Sequence, residues 1–251
     1  MVTLAEIHSF LKNLGIKNDD TVLIHTSMRA IGEVEGGCDG LIDGFKSYLT
    51  NGLLVIPTHT WANVGAETPI FNVNETVPCI GALPTVAAFR KDGIRSLHPT
   101  HSVAVFGKRA KEFVKGEENA QTPCPIGGVW SRLYDENAKI LLLGVNLNSN
   151  TYMHAIDERY NITKRYNKPV YLDNPIEITV IDYNGNSTTR EFKKHGWTGS
   201  REFEVYTEDF EKAGILTYSK LGNAKVFVMN AKESTPIIAE IFKKFEEQYK
   251  N

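Results

Sequence analysis

Residues 141–159 read LLLGVNLNSNTYMHAIDER, an apolar segment that runs through an Asn- and Ser-rich stretch into a helical pattern. A short apolar run that is bounded by a turn predicts a buried strand, here Lys139–Gly144. The Asn-Ser-Asn stretch at 148–150 contains favourable N-cap residues, so His154 is expected in the first turn or two of the next helix. This segment therefore predicts a strand–loop–helix unit with an imidazole near the helix N-terminus.

His154 is a candidate general base. Residues three and four apart share one face of a helix, so Asp157 and Glu158 both lie within reach of the ring, and either carboxylate can orient it. The helix dipole favours the neutral imidazole at this end, and a neutral ring accepts a proton near neutral pH. On these residues alone, a structural histidine beside a solvated polar face is an equally good interpretation.

The composition restricts the classes of function. The 251 residues include 28 Lys and Arg against 30 Asp and Glu, a balance that gives no basic field to attract nucleic acid or an anionic membrane. Cys38, Cys79 and Cys124 form no CxxC pair, which favours a reducing compartment and argues against a zinc knuckle. The sequence has no signal-peptide pattern and no long uncharged apolar run. We therefore expect a cytoplasmic protein.

The remaining pattern alternates between helices and strands. A capping box at Thr3–Glu6 opens a first helix, and Gly15 closes it. Further helices are expected at 37–52, 82–91 and 231–250, and strands at 21–25, 53–56, 102–106 and 139–144. Successive strand–helix units favour a layered α/β architecture.

Two segments depart from this pattern. Residues 60–80 contain Pro and Gly without a clean period and predict a long loop, which in a compact domain is usually functional or disordered. The alternating run at 176–182, followed by Asn184-Gly185, predicts an antiparallel hairpin. Because of this ribbon we expect a mixed sheet, and residues 1–251 are expected to form a single domain.

Polar residues follow the first two predicted strands. The candidates for binding a phosphate or an amide group are Thr26, Ser27, Met28 and Arg29 after the first strand, and Thr58 and His59 after the second. Ligands of open α/β sheets collect beyond the carboxyl ends of the strands. Neither GxxxxGK[ST] nor GxGxxG occurs, which argues against a P-loop and against a dinucleotide-binding fold.

His98 and His101 lie three residues apart, but Pro99 interrupts any helix that would align them. No third ligand follows at a recognisable spacing, so no metal is expected, and structural or hydrogen-bonding roles are favoured. Ser27 and Ser102 are candidate nucleophiles, although neither lies in a GxSxG elbow.

In their order and spacing, these motifs resemble the aminoglycoside 3-N-acetyltransferase family, antibiotic acetyltransferases that are unrelated in fold to the GNAT enzymes. The resemblance covers nearly the whole chain. It rests on HTSMRAIG at 25–32, RSxHPxxS at 95–102, PIG at 125–127, LLLG at 141–144 followed by NSNT and His154, and KLGNAK at 220–225.

The resemblance implies a three-layer α/β/α fold with a mixed sheet, and acetyl transfer from acetyl-CoA to an amine of an aminoglycoside or a related amino sugar. It implies His154 as the general base. The family usually carries Glu three residues after this histidine, where this chain has Asp157 followed by Glu158, so both carboxylates remain candidates. The implied CoA-contacting residues are Thr26, Ser27, Met28, Arg29, Thr58, His59 and Ser102, and no metal is implied.

The acceptor side departs from the family pattern. Family members that modify aminoglycosides place acidic residues around the acceptor cleft, whereas the segment 193–197 here reads Lys-Lys-His-Gly-Trp and would repel a polyamine. An amino sugar, free or carried on a nucleotide, or another less cationic amine fits as well. Two alternatives remain: a hydrolase that uses His154 with Glu158 on a metal or on Ser102, and a CoA-binding protein without catalytic activity.

Overall fold

The structure, a computed structural model, describes residues 1–165, 168–170, 172–196 and 203–248. Its helices are α1 Leu4–Asn13, α2 Met28–Ile31, α3 Gly37–Tyr48, α4 Ala82–Phe89, α5 Ala110–Phe113, α6 Val129–Asp135, α7 Tyr152–Arg159, α8 Thr207–Lys212 and α9 Ala231–Gln248. Its strands are β1 Thr21–Thr26, β2 Leu53–Pro57, β3 Ile70–Asn72, β4 Ile94–Arg95, β5 Val103–Phe106, β6 Lys139–Leu143, β7 Lys164–Arg165, β8 Lys168–Pro169, β9 Ile176–Ile181, β10 Ser187–Phe192, β11 Thr217–Leu221 and β12 Ala224–Asn230.

A mixed sheet with the strand order β11-β12-β6-β1-β2-β5-β4 forms the centre of the molecule. Its three middle strands, β6, β1 and β2, run parallel to one another, while β12 and β5 flank them in antiparallel pairing. Because the middle strands are parallel, their carboxyl ends meet at one edge of the sheet.

Helices cover both faces of this sheet. Successive side chains of a strand point to opposite faces, so Leu23 and Leu142 enter one core, while Val22, Ile24 and Leu141 enter the other. The first core includes residues of α6, α7 and α9, and the second includes residues of α1, α3 and α4. The expected three-layer α/β/α fold with a mixed sheet is confirmed.

The predicted hairpin forms as β9 and β10, with Gly185 in its turn at a φ of 84°. The sequence predicted that this hairpin would belong to the mixed sheet. The hairpin lies outside the central sheet. Instead β9 pairs with β3, a three-residue strand inside the segment expected to be a loop, and the resulting sheet encloses a small core around Phe71 and Phe192. The sequence did not predict β3, because three residues are too few to show the alternation of apolar and polar side chains that marks a strand.

The helix that carries His154 begins slightly later than predicted. The Asn146 side chain caps a short 3₁₀ turn at Leu147–Ser149, so α7 follows after this turn. Its N-cap is Thr151, which makes no side-chain cap hydrogen bond, rather than a residue from 148–150. His154 still lies in the first turn, as expected.

Other boundaries differ from the prediction by a few residues. The capping box of α1 is present and Gly15 adopts a φ of 71°, as expected. Helix α3 ends at Tyr48, before Gly52, and α4 ends at Phe89 because Arg90 is extended. Among the described residues, no helix has both the length and the apolar character to cross a membrane.

Gly144 ends β6 and begins the loop that leads to His154. It has a φ of +71°, and an added Cβ would lie 2.4 Å from the Cβ of Ala30. Gly144→Ala should therefore combine backbone strain of about 1–3 kcal/mol with overpacking. Gly185→Ala is the matched control, since Gly185 also has a positive φ but no neighbouring atom within 4 Å of an added Cβ. Urea denaturation should show the larger loss for Gly144→Ala, and equal losses would contradict this close packing.

Candidate active site

A cavity of about 500 Å³ lies beyond the carboxyl ends of the middle strands. Five histidines line it: His25, His59, His101, His154 and His195. His25 lies near the end of β1, and His59 follows two residues after the end of β2. Two of the polar residues that the sequence marked as candidates, Thr26 and His59, therefore border a common space.

His154 lies beside a buried carboxylate. Its Nδ1 is 3.4 Å from Oδ2 of Asp157, which is one turn further along α7 and fully buried. The imidazole itself is almost completely buried and lines the cavity. A carboxylate at Nδ1 selects the ring orientation and tautomer of a catalytic histidine.

Glu158 lies in a different environment. Its carboxylate accepts hydrogen bonds from the hydroxyl of Thr122 at 2.6 Å and from the backbone N–H of Cys124 at 2.7 Å. These bonds tie the segment after α5 to α7. Of the two carboxylates that the sequence left open, Asp157 contacts the ring nitrogen of His154 and Glu158 anchors a neighbouring loop.

The cavity holds a chain of imidazoles. The His195 ring centroid lies 3.8 Å from that of His154 and 4.9 Å from that of His101, and His101 lies 4.8 Å from His59. Burial, and then repulsion by neighbouring imidazoles, holds the pKa of His59 and of His101 well below the usual value. Burial alone lowers the pKa of His25 to about 3. These three rings are therefore neutral at pH 7.

Several buried polar atoms of the cavity make no hydrogen bond within the described part of the chain. They are Oγ1 of Thr26, Nε2 of His25 and Nδ1 of His59. The other ring nitrogen of His59 is 2.8 Å from the hydroxyl of Thr151. Buried polar groups are normally hydrogen-bonded, so these atoms provide donors and acceptors for a bound molecule.

The other residues expected to contact CoA lie outside this cavity. Thr58 and Ser102 are fully buried, and their hydroxyl oxygens are 2.8 Å apart. Arg95 donates to both residues, through the hydroxyl of Ser102 and the carbonyl of Thr58. Both side chains thus hold β2 and β5 together behind the cavity.

The remaining candidates belong to the loop after β1. Ser27 caps the short helix α2, where its hydroxyl accepts from the backbone N–H of Ala30. Met28 is partly buried against the core and Arg29 is exposed. Ala30 lines a second groove of about 530 Å³, to which Gly144 and Lys225 also contribute. This groove adjoins the cavity, because Val145 and Ser149 line both.

His98 has a structural role. Its Nε2 donates to the carbonyl of Thr122, and its Nδ1 accepts from the backbone N–H groups of Thr100 and His101. These bonds fix a single neutral tautomer. Burial lowers its pKa to about 3.

Cys124, Glu158 and His195 form the group of described residues whose arrangement comes nearest to a metal site. Their ligand atoms lie within 4.8 Å of one another. The Glu158 carboxylate already accepts two hydrogen bonds in this position. We assign no ion to it, and the expected absence of a metal stays a prediction.

Some residues of the cavity gave little signal in the sequence. Trp130 stacks on His25, and its indole N–H donates to the carbonyl of His101, although it lies on a helix far from either in sequence. His195 and Lys194 line the cavity, whereas in the sequence they stand out only as part of a basic segment. Trp197, from the same segment, lies outside the described residues.

A family model described as aminoglycoside 3-N-acetyltransferase matches residues 23–243. The chain belongs to this family. Aminoglycoside N(3)-acetyltransferase IX of Micromonospora chalcea is 28% identical over 263 residues, which cover 92% of this chain and 89% of that protein. The SPbeta prophage-derived aminoglycoside N(3')-acetyltransferase-like protein YokD of Bacillus subtilis (strain 168) is 26% identical over 269 residues, with coverage of 96% and 92%.

The fold of the aminoglycoside 3-N-acetyltransferase family also matches. A solved structure described as AAC-IIIb binary with CoASH superposes with a TM-score of 0.80 at 18% identity, covering 96% of each chain. The resemblance inferred from the sequence motifs is thus confirmed, and so is the fold expected from it.

The buried histidines predict acid-sensitive stability. Burial keeps His25, His59, His98 and His101 neutral in the folded protein, whereas in the unfolded chain these histidines have a pKa of about 6.5. As the pH falls below that value, the unfolded state binds more protons and the folded state loses stability. Four such rings give a slope that approaches about 5 kcal/mol per pH unit below this pH, so the protein should lose most of its stability in mild acid.

Urea denaturation at a series of pH values measures this slope. His98→Gln should reduce it by about one proton, or about 1.4 kcal/mol per pH unit. Ile42→Val is the control, because it perturbs a buried side chain of α3 without removing a titrating group and should shift the curve while preserving the slope. A wild-type stability that stays constant between pH 7 and pH 5 would contradict the neutral cluster.

Proposed function

We propose that this chain transfers the acetyl group of acetyl-CoA to an amine of an aminoglycoside or a related amino sugar, and that it acts as a single domain in the cytoplasm. The observation that carries the proposal is the His154–Asp157 pair at the wall of a cavity, in a member of this family. The CoASH bound by AAC-IIIb, which shares the fold, supports the choice of donor. The three free cysteines fit a reducing compartment.

In the proposed reaction, the neutral amine attacks the carbonyl carbon of the thioester. The C–N bond forms, the C–S bond breaks, and His154 accepts the proton that the nitrogen loses and delivers it to the departing sulfur. Asp157 holds the Nδ1 side of the ring and stabilises the imidazolium that forms transiently. No enzyme nucleophile is required, and much of the acceleration comes from holding the two substrates together.

The oxyanion that develops on the thioester oxygen needs hydrogen-bond donors. Thr26 fits this role, because its buried hydroxyl lines the cavity at the end of β1 and makes no hydrogen bond to the described residues. A donor that is positioned before the reaction stabilises the transition state without reorganisation. His59, the other predicted CoA-contacting residue that lines the cavity, is neutral and also has an unused ring nitrogen within the described chain.

The second groove suits the remainder of CoA. It joins the cavity at Val145 and Ser149, and Lys225 offers a cation for phosphate groups. Ala30 forms part of its wall, which places the predicted loop 26–29 beside it. The thioester would then enter the cavity from the groove side.

The direct test is release of CoA thiol from acetyl-CoA with a panel of aminoglycosides, amino sugars and simple amines. We expect release that depends on the amine and yields the acetylated amine. Hydrolysis of acetyl-CoA without an amine, or activity that a chelator or a serine reagent abolishes, would favour the hydrolase alternative. A CoA-dependent rise in Tm without turnover of any amine would support the alternative that the chain is a CoA-binding protein without catalytic activity.

Replacement of His154 tests the general base. His154→Ala should lower kcat/KM by about 10²–10⁴-fold, because the amine then loses its proton without a positioned acceptor. The CoA-dependent rise in Tm should persist, since other residues hold the cofactor. Activity within about threefold of the wild type would show that His154 is a structural histidine.

A pair of isosteric substitutions separates the two carboxylates. Asp157→Asn should lower kcat by about tenfold or more, because the amide no longer stabilises the imidazolium. Glu158→Gln should leave kcat near the wild-type value and lower the free energy of unfolding by about 1–2 kcal/mol, since it weakens the bonds to Thr122 and Cys124. The opposite ranking of the kcat values would transfer the orienting role to Glu158.

A further inference from the structure

Lys194 carries the charge on the cavity wall. The described histidines that line the cavity with it include three neutral rings, His25, His59 and His101, and no Asp or Glu of the described residues lines it. The carboxylate next to the cavity, Asp157, is fully buried and faces the ring of His154. Glu158 accepts hydrogen bonds from Thr122 and Cys124.

Lys194 follows β10 in the chain and lines the cavity beside the segment after β2. A Cβ added at Gly65 would lie 3.1 Å from its Nζ, which places the ammonium group beside the loop that also carries Trp61. Trp61 lines the cavity and is 48% exposed. An aromatic side chain and a cation in one cavity lining suit a sugar ring or a nucleobase that bears an anionic group.

This wall is distinct from the groove that we assign to CoA. The groove shares Val145 and Ser149 with the cavity but neither Lys194 nor Trp61. Glu204 lines neither space, and its carboxylate accepts from the side-chain amides of Asn146, which lines the groove, and of Asn148, which lines the cavity. The wall with Lys194 is therefore left for the acceptor.

Aminoglycosides carry several ammonium groups, each of which needs a carboxylate or a carbonyl when it leaves water. A cavity with a lysine and without lining carboxylates among the described residues repels such a molecule. We propose that the acceptor is an amino sugar that carries a phosphate or carboxylate group, that Lys194 binds this anion, and that polycationic aminoglycosides are poor substrates. This inference rests on the proposed acetyl transfer and narrows its substrate class.

The test compares acceptors of different charge. With acetyl-CoA as donor, kcat/KM is measured for three anionic amino sugars, glucosamine 6-phosphate, UDP-glucosamine and muramic acid. Glucosamine, which has no anionic group, and the aminoglycoside sisomicin are the comparisons. The two phosphates and the carboxylate distinguish the sources of the anion. We expect at least one anionic amino sugar to exceed both glucosamine and sisomicin by about tenfold or more.

Two neighbouring lysines provide a charge-reversal pair. Lys194→Glu should lower kcat/KM for the preferred anionic acceptor by about tenfold or more and raise it for sisomicin, because the introduced carboxylate attracts ammonium groups. Lys193→Glu carries the same change in charge on an exposed side chain that does not line the cavity, so the ratio of the two acceptors should stay within about threefold.

Three results would overturn the inference: sisomicin exceeding every anionic acceptor in the wild type, the two variants behaving alike, or Lys194→Glu raising only the KM of acetyl-CoA. The last result would place Lys194 on the CoA phosphates. If no acceptor releases thiol, the proposed transferase activity fails, and calorimetry then decides the inference separately. Binding of an anionic amino sugar that Lys194→Glu abolishes and Lys193→Glu preserves supports it, and absence of such binding refutes it.

Discussion

The parallel pairing of β1 between β6 and β2 is the constraint on which the site depends. Strands that are buried on both faces need apolar side chains along their length, so polar residues can appear only where they end. The pairing then brings those ends to one edge, where His25 and Thr26 of β1 meet His59 beyond β2. The turn at Gly144 directs the chain after β6 over the same edge and delivers His154.

Arg95 holds the segment after β2, which forms one wall of the cavity, against the sheet. Its guanidinium is almost completely buried and donates to the carbonyls of Val73, Thr76 and Thr58 and to the hydroxyl of Ser102. Burial lowers its pKa to about 10, so the group stays protonated at neutral pH. A buried cation with several acceptors holds the irregular segment after β2 against the sheet, and this keeps the outer wall of the cavity in place.

Local patterns in the sequence predicted the parts of this molecule that are local. The strand–loop–helix unit around His154, the capping box of α1 and the Asn-Gly hairpin turn each follow from neighbouring residues, and each is present. The sequence did not reveal that Thr58 and Ser102 accept hydrogen bonds from Arg95. Polar residues at strand ends have the same sequence pattern whether they face a ligand or a buried guanidinium. His195 lies beside His154, and its neighbour Gly196 donates to the carbonyl of Val170, a contact between distant segments that has no periodic signal in the sequence.

The electrostatics of the cavity also bear on the state in which an amine arrives. An amine attacks a thioester only as the neutral base, and a nearby carboxylate would stabilise the ammonium form and raise the amine's pKa. The cavity lining offers a lysine and neutral imidazoles instead, and no carboxylate of the described chain lines it. In the reaction we propose, this surrounding disfavours the ammonium form of a bound amine and so favours its reactive, neutral form. In the same proposed reaction, the negative charge of Asp157, placed behind His154, stabilises positive charge at the imidazole that receives the proton rather than at the nitrogen that must lose it.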